Sequence, residues 1–186
     1  MTDTKDDVFI YRIDENDKIV FVSDNWSKFA LDNDATETCI PPFVLSKPLW
    51  EFIGDDETIH LYQLVIDRIR TEKKTVKISI NCDSPNLRRF MQITIKPFLE
   101  NQIEFTSKVI NKEKREYLPI LNKDAPRTDE FVRICSYCKK IAITENEWVE
   151  TEEAIIFLKL FQKDKLPQLT HGVCPACYES VMSELR

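Results

Sequence analysis

The stretch Ile13-Asp14-Glu15-Asn16-Asp17-Lys18-Ile19-Val20-Phe21-Val22-Ser23-Asp24-Asn25-Trp26 decides how the N-terminal part of this chain folds. Just ahead of it, Val8-Phe9-Ile10-Tyr11-Arg12 is β-branched and aromatic, and so is Ile19-Val20-Phe21-Val22. The residues between them are Asp and Asn, which tolerate the left-handed backbone of a tight turn where glycine is scarce. The pattern predicts a β-hairpin. Ser23-Asp24-Asn25 then offers an N-cap ahead of Trp26, Phe29, Ala30 and Leu31, so a short helix follows.

Outward from there, Pro41-Pro42 and Pro48 punctuate a loop, and after Gly54 the acidic run Asp55-Asp56-Glu57-Thr58 suits the first turn of a long helix ending near Lys73. Three strands are expected over 76–81, 89–97 and 103–110. The middle one contains Met91-Gln92-Ile93-Thr94-Ile95-Lys96, whose alternation marks a half-buried antiparallel strand. At the hairpin before it, Arg88-Arg89 with Asp83-Ser84-Pro85 reads as an exposed turn rather than a partner-contact tip. From Asn111 the character changes to the charge run Lys112-Glu113-Lys114-Arg115-Glu116, followed by Pro119 and Pro126. The resulting division is a disordered tail over 1–7, a domain over 8–112, a linker over 113–130 and a second module over 131–186.

Composition sets outer limits. A chain of 186 residues has room for one domain and an appendix, or for two domains. Its 26 Lys and Arg against 32 Asp and Glu give a net charge of −6 with no basic patch, which disfavours nucleic-acid binding. The polar, acidic start and the lack of a long apolar run lead us to expect a cytoplasmic protein with no membrane contact. Two glycines far apart cannot build a phosphate cradle. In a reducing compartment the six cysteines point to metal rather than to disulfides.

The hairpin stretch from Ile13 to Trp26, with Asn25 at a recurrent Asn, resembles the opening of a PAS domain, as does the element order over residues 8–112. The resemblance implies an α+β fold: a five-stranded antiparallel sheet with helices on one face, serving as a ligand sensor or as a dimerising or docking module. Neither Cys39 nor Cys82 sits in the motif of a flavin photoreceptor, so that reading fails. Haem PAS domains hold iron with a His on the long helix, where His60 lies. The helical period places His60 beside Gln63 and Asp67, opposite the stripe of Leu61, Tyr62, Val65, Ile66 and Ile69, which argues for a solvated His and against haem. The PAS ligand is left unassigned.

The strongest chemical signal is Cys135-Ser136-Tyr137-Cys138 paired with Cys174-Pro175-Ala176-Cys177. Two Cys-x-x-Cys knuckles suit a tetrahedral Zn²⁺, because each lets two thiolates reach one ion, and four thiolates close the site. His171 is the alternative ligand should one cysteine swing out, and Gly172 is expected to supply a sharp turn. The same four cysteines also suit a mononuclear iron or an iron–sulfur cluster. A helix over about 150–162 is expected to pack over the metal, and another starts at Pro175. The stretch resembles a small zinc-finger-like α+β module at the ends of bacterial PAS-containing signalling proteins.

With two His and a saturated metal site, the chain lacks the parts of an enzyme. The expected function is a regulatory one: a PAS sensor or docking domain, with homodimerisation through it, coupled to a structural zinc module that contacts a protein partner. The alternatives are a redox sensor acting through the thiolates, a haem-based gas sensor and a zinc-finger transcriptional regulator.

Overall fold

The computed structural model describes residues 8–32 and 40–186. The tail read over 1–7 and Cys39 lie outside the described residues. The hairpin forms as β1 (Val8–Ile13) and β2 (Ile19–Val22), and its turn does what the Asp/Asn composition allows. Asp17 takes φ 61, and Asp14 Oδ1 accepts from the Asn16 and Lys18 amides at 2.9 Å. Helices α1 (Trp26–Asp32) and α2 (Pro41–Val44) follow, then the long α3 (Asp56–Glu72). Asp55 caps α3 by accepting from the Thr58 amide at 2.8 Å, and Lys73 closes it in the left-handed conformation.

Strands β3 (Val76–Asn81), β4 (Leu87–Pro97) and β5 (Ile103–Lys114) complete a five-stranded antiparallel sheet of order β2-β1-β5-β4-β3. Pairing of Tyr11 with Phe105 and of Phe105 with Ile95 puts alternate residues of three strands on one face. That face carries Ile13, Ile93, Ile95, Ile103 and Phe105, and α3 covers it with Leu61, Val65, Ile66 and Ile69. Each such fully buried aliphatic side chain contributes about 1.5–3 kcal/mol. On the other face Glu104 pairs with Arg12 at 2.7 Å and Lys96 at 3.0 Å, while the Arg12 guanidinium lies over the rings of Phe21 and Phe98.

Strand β5 runs on through the charge run to Lys114, and Arg115 then docks on Asp83 at 2.7 Å. The rest of the stretch read as linker includes a 3-10 turn at Pro119–Leu121 that buries Ile120, and the start of β6 (Arg127–Cys135). A second sheet, β8-β7-β6-β9, contains β7 (Ile141–Ala142), β8 (Trp148–Val149) and β9 (Leu166–Gly172), with β9 parallel to β6. Its core joins Ile120, Ile134 and Ile141 to Ala154 and Leu160.

Two local expectations need correction. The helix read over 150–162 is broken: α4 (Thr151–Phe157) ends, Lys159 takes φ 52, and a 3-10 turn follows at Leu160–Gln162. It packs into the core of the second sheet rather than over the cysteines, because Ala154 and Ile155 face Ile134 and Ile141. Gly172 makes no turn of positive φ. It ends β9, and a Cβ there would clash with the Arg133 guanidinium, so the side-chain-free position lets Arg133 cross the strand.

Arg88 is likewise engaged within the chain. It reaches Glu150 at 3.1 Å and Glu152 at 3.2 Å, so the β3–β4 hairpin is bound to the start of α4. No helix of the described residues is long and apolar enough to cross a membrane.

Candidate metal centre

Each pair of cysteines is held by a different backbone device. Cys135 ends β6, and the chain folds back so that the Lys139 amide donates to the Cys135 carbonyl at 3.1 Å while the Cys135 amide donates to the Lys140 carbonyl at 2.8 Å. Lys139, at φ 64, gives the turn its left-handed step. Cys174 is the residue ahead of α5 (Pro175–Glu184), with Cys177 on the first turn and proline at the start, where its missing N–H costs nothing.

These devices bring Cys135, Cys138, Cys174 and Cys177 together with all four sulfurs within 4.8 Å of one another. Cys138 Sγ and Cys174 Sγ stand 3.7 Å apart, and a tetrahedron with metal–sulfur arms of about 2.3 Å has edges of about 3.8 Å. The Cys174 amide also donates to Cys135 Sγ at 3.4 Å, the contact that favours a thiolate. Hydrogen bonds from the Cys138 and Cys177 thiols push the Cys135 thiol far below its ordinary range. Sharing those protons in turn raises Cys138 to about 12 and drives Cys177 higher still. The donor set fits a divalent cation such as zinc, which would supply there a cross-link between the two knuckles.

Cys135 and Cys174 are buried, whereas Cys138 and Cys177 are half-buried. The five cysteines among the described residues are all free of disulfides.

His171 is not part of the four-sulfur cluster. It sits exposed on β9, where partial desolvation and the nearby Lys139 ammonium push its imidazole below the usual range. His60 is exposed too, in a shallow recess with Glu57, Pro175 and Tyr178 on the side of α3 that meets the cysteine module.

The residues that anchor the cluster were not legible as such. Ser136 Oγ donates to Asp55 Oδ2 at 2.9 Å, and Glu57 Oε2 accepts from the Val173 amide at 2.8 Å. The Asn81 amide donates to the Tyr137 carbonyl at 2.6 Å, and Asn81 Nδ2 to the Cys138 carbonyl at 3.1 Å. Tyr137 is buried, its ring stacks on Tyr62 at 6.4 Å, and burial pushes its phenol well above the ordinary range. Both knuckles therefore rest on the start of α3 and the end of β3. Asp55 and Glu57 carried a sequence signal, but only as helix-start acids; nothing pointed to the far end of the chain.

No family model matches the chain, and no curated protein matches it. What stands is an α+β architecture with a five-stranded antiparallel sheet and a cysteine cluster suited to a metal ion such as zinc.

Proposed function

We propose that the chain is a cytosolic signalling protein in which a PAS sensor or docking unit carries a structural zinc module that contacts a partner protein. The carrying observation is an exposed apolar patch on that module. Ile156, Phe157 and Phe161 are 64%, 68% and 65% exposed, and Tyr117 is 56% exposed. Tyr117, Ile156 and Phe161 line a groove of about 600 Å³ floored by Leu118, Ile120 and Leu160, and Phe157 follows Ile156 in the chain. Large apolar side chains gathered on one surface mark an interaction site. The net charge of −6 and Glu116 on the groove wall disfavour a second copy and favour a partner with basic residues around an apolar segment.

The PAS reading draws support from the sheet with α3 on one face and from Asn25, whose amide donates to the Val8 carbonyl at 2.7 Å and ties the helix start back to β1. A four-thiolate set has no open coordination position, which supports structure over catalysis and a non-enzymatic role. Haem at His60 loses support from that residue's exposure, and the acidic charge weighs against transcriptional binding to DNA.

The test is a photo-cross-linker placed at Phe157 in cells. One partner protein captured there, and lost on adding Phe161→Asp with zinc content unchanged, is the expected result. Capture of a second copy, or capture indifferent to Phe161→Asp, overturns the reading.

A second reading, the redox sensor, is favoured by the partial exposure of Cys138 and Cys177. Peroxide would take two electrons from this thiolate pair and two protons from solvent, forming one S–S bond and two waters, and the loss of two ligands would free the metal. Zinc retained under peroxide removes this reading.

A further inference from the structure

Where the β1–β2 hairpin, α3 and the first cysteine knuckle meet, there is a cavity of about 540 Å³, within the range of small-molecule sites. Its inner wall is aromatic. Tyr11, Trp26 and Tyr62 line it, with the Tyr11 and Trp26 rings edge to face at 5.8 Å. Its other end is polar and comes from two separate parts of the chain: Asp55 and Thr58 from the start of α3, Ser136 from the knuckle and His171 from β9. Phe52, Gly54 and His171 are exposed, which places this polar end at the mouth.

Two observations say what would fit. Thr58 is only 6% exposed and lines the cavity, yet its hydroxyl has no hydrogen-bond partner. Buried hydroxyls without partners are rare, and this one adjoins space that a ligand group would fill. The charged group at the polar end is the Asp55 carboxylate, held by the Thr58 amide and by Ser136 Oγ, and among the described residues no Lys or Arg lines the cavity. An anionic ligand would meet the Asp55 carboxylate, while the nearby Lys139 ammonium is not in the cavity lining and is already engaged by the Ser136 carbonyl at 2.8 Å; a donor finds acceptors.

We infer that the cavity binds a flat aromatic molecule, neutral or cationic, whose hydroxyl or amino group sits against Asp55 and Thr58 beneath Ser136 and His171. The ring is held between Tyr11, Trp26 and Tyr62. Because Ser136 and His171 belong to the cysteine module, the site is complete only when that module is docked on α3. This inference rests on the sensor part of the reading above and gives the class of ligand sensed.

Calorimetric titration of the full, zinc-loaded chain with 2-naphthol and with 2-naphthoate tests it, since the two share a ring system and differ at the polar end. The expected result is binding of 2-naphthol about tenfold or more tighter than 2-naphthoate. Ala30→Leu, at a buried wall position, should weaken 2-naphthol by about tenfold by filling the space. Thr58→Val keeps the shape, removes the hydroxyl and should weaken it by about fivefold. Equal affinity for the two probes, no binding of either at millimolar concentration, or 2-naphthol binding indifferent to both variants overturns the inference. The Phe157 cross-link needs no ligand. If the cross-link persists while 2-naphthol fails, the ligand class is wrong and the partner reading stands.

Discussion

Glu57, on the first turn of α3, accepts a 2.8 Å hydrogen bond from the amide of Val173, the residue just ahead of Cys174. One carboxylate thereby connects the long helix of the first sheet to the second cysteine knuckle. The same group pairs with Arg133, which also lies against Trp148 with its guanidinium 5.5 Å from the ring centroid. Val173 is buried, so its N–H has no ready substitute in water. Glu57→Ala should cost about 1–3 kcal/mol by leaving that donor unpaired. Loss of the exposed Arg133 pair should add at most about 1 kcal/mol. Glu57→Gln keeps an acceptor and should stay within about 1 kcal/mol of the parent. Urea unfolding of the zinc-loaded chain measures both; equal losses for Ala and Gln would show that charge, not the amide contact, makes the joint.

Glu104 on β5 predicts an acid-side dependence. Burial by itself pushes its carboxyl up, but the hydrogen bonds from Arg12 and Lys96 outweigh burial and hold it below its ordinary range. A folded-state value below the unfolded one means that the unfolded chain binds the proton more tightly. The contribution is therefore present above the unfolded carboxylate value of about 4.3 and is lost as pH falls through the lower folded value. Glu104→Gln should be less stable than the parent by about 1–2 kcal/mol at neutral pH. The gap should close in acid. Thermal melts of the two proteins across that range check it, and a gap independent of pH would refute the assignment.

The cysteine set makes a sharper contrast. Cys135 is a buried member of the cluster, whereas Cys82 lies outside it, just past the end of β3. Cys135→Ser should bring the zinc content well below the parent's expected ratio of about one per chain and weaken the second sheet, because a structural metal is folding free energy. Cys82→Ser should leave the zinc content unchanged. Elemental analysis with far-ultraviolet circular dichroism decides the matter, and full zinc content in Cys135→Ser would remove that residue from the ligand set.

Legibility followed the range of the signal. The hairpin at Asp14–Asp17, the acidic start of the long helix after Gly54 and the alternation through Met91, Ile93 and Ile95 are set by neighbours within a few residues, and sequence reasoning found them, though the capping role of Asp55 itself emerged from the structure. The cysteine knuckles were legible for the same reason, since two residues between thiolates is a local requirement. The parallel pairing of β6 with β9 was not, because Val132 meets Leu169 only after the intervening chain has folded over it. The charges of Arg88 and Arg115 read as solvated, yet Asp83 and Glu152 hold both within the chain. Charge runs carry no mark that separates an exposed face from an internal joint.

The Ser136–Asp55 hydrogen bond of 2.9 Å makes a last prediction possible, because it joins the first cysteine knuckle to the polar end of the aromatic cavity. Docking of the knuckle on α3 brings Asp55, Ser136 and His171 together, and a metal held by the four cysteines would fix the knuckle in the form that docks. Two sites that favour one arrangement must be reciprocally linked. Saturating 2-naphthol should therefore tighten zinc retention by about fivefold in competition with a chelator, a coupling of about 1 kcal/mol. Ser136→Ala removes the bridging hydroxyl but no sulfur, so it should keep zinc and lose most of the coupling. Zinc competition curves that coincide with and without bound 2-naphthol would show that the metal stabilises its own module without any influence on the cavity.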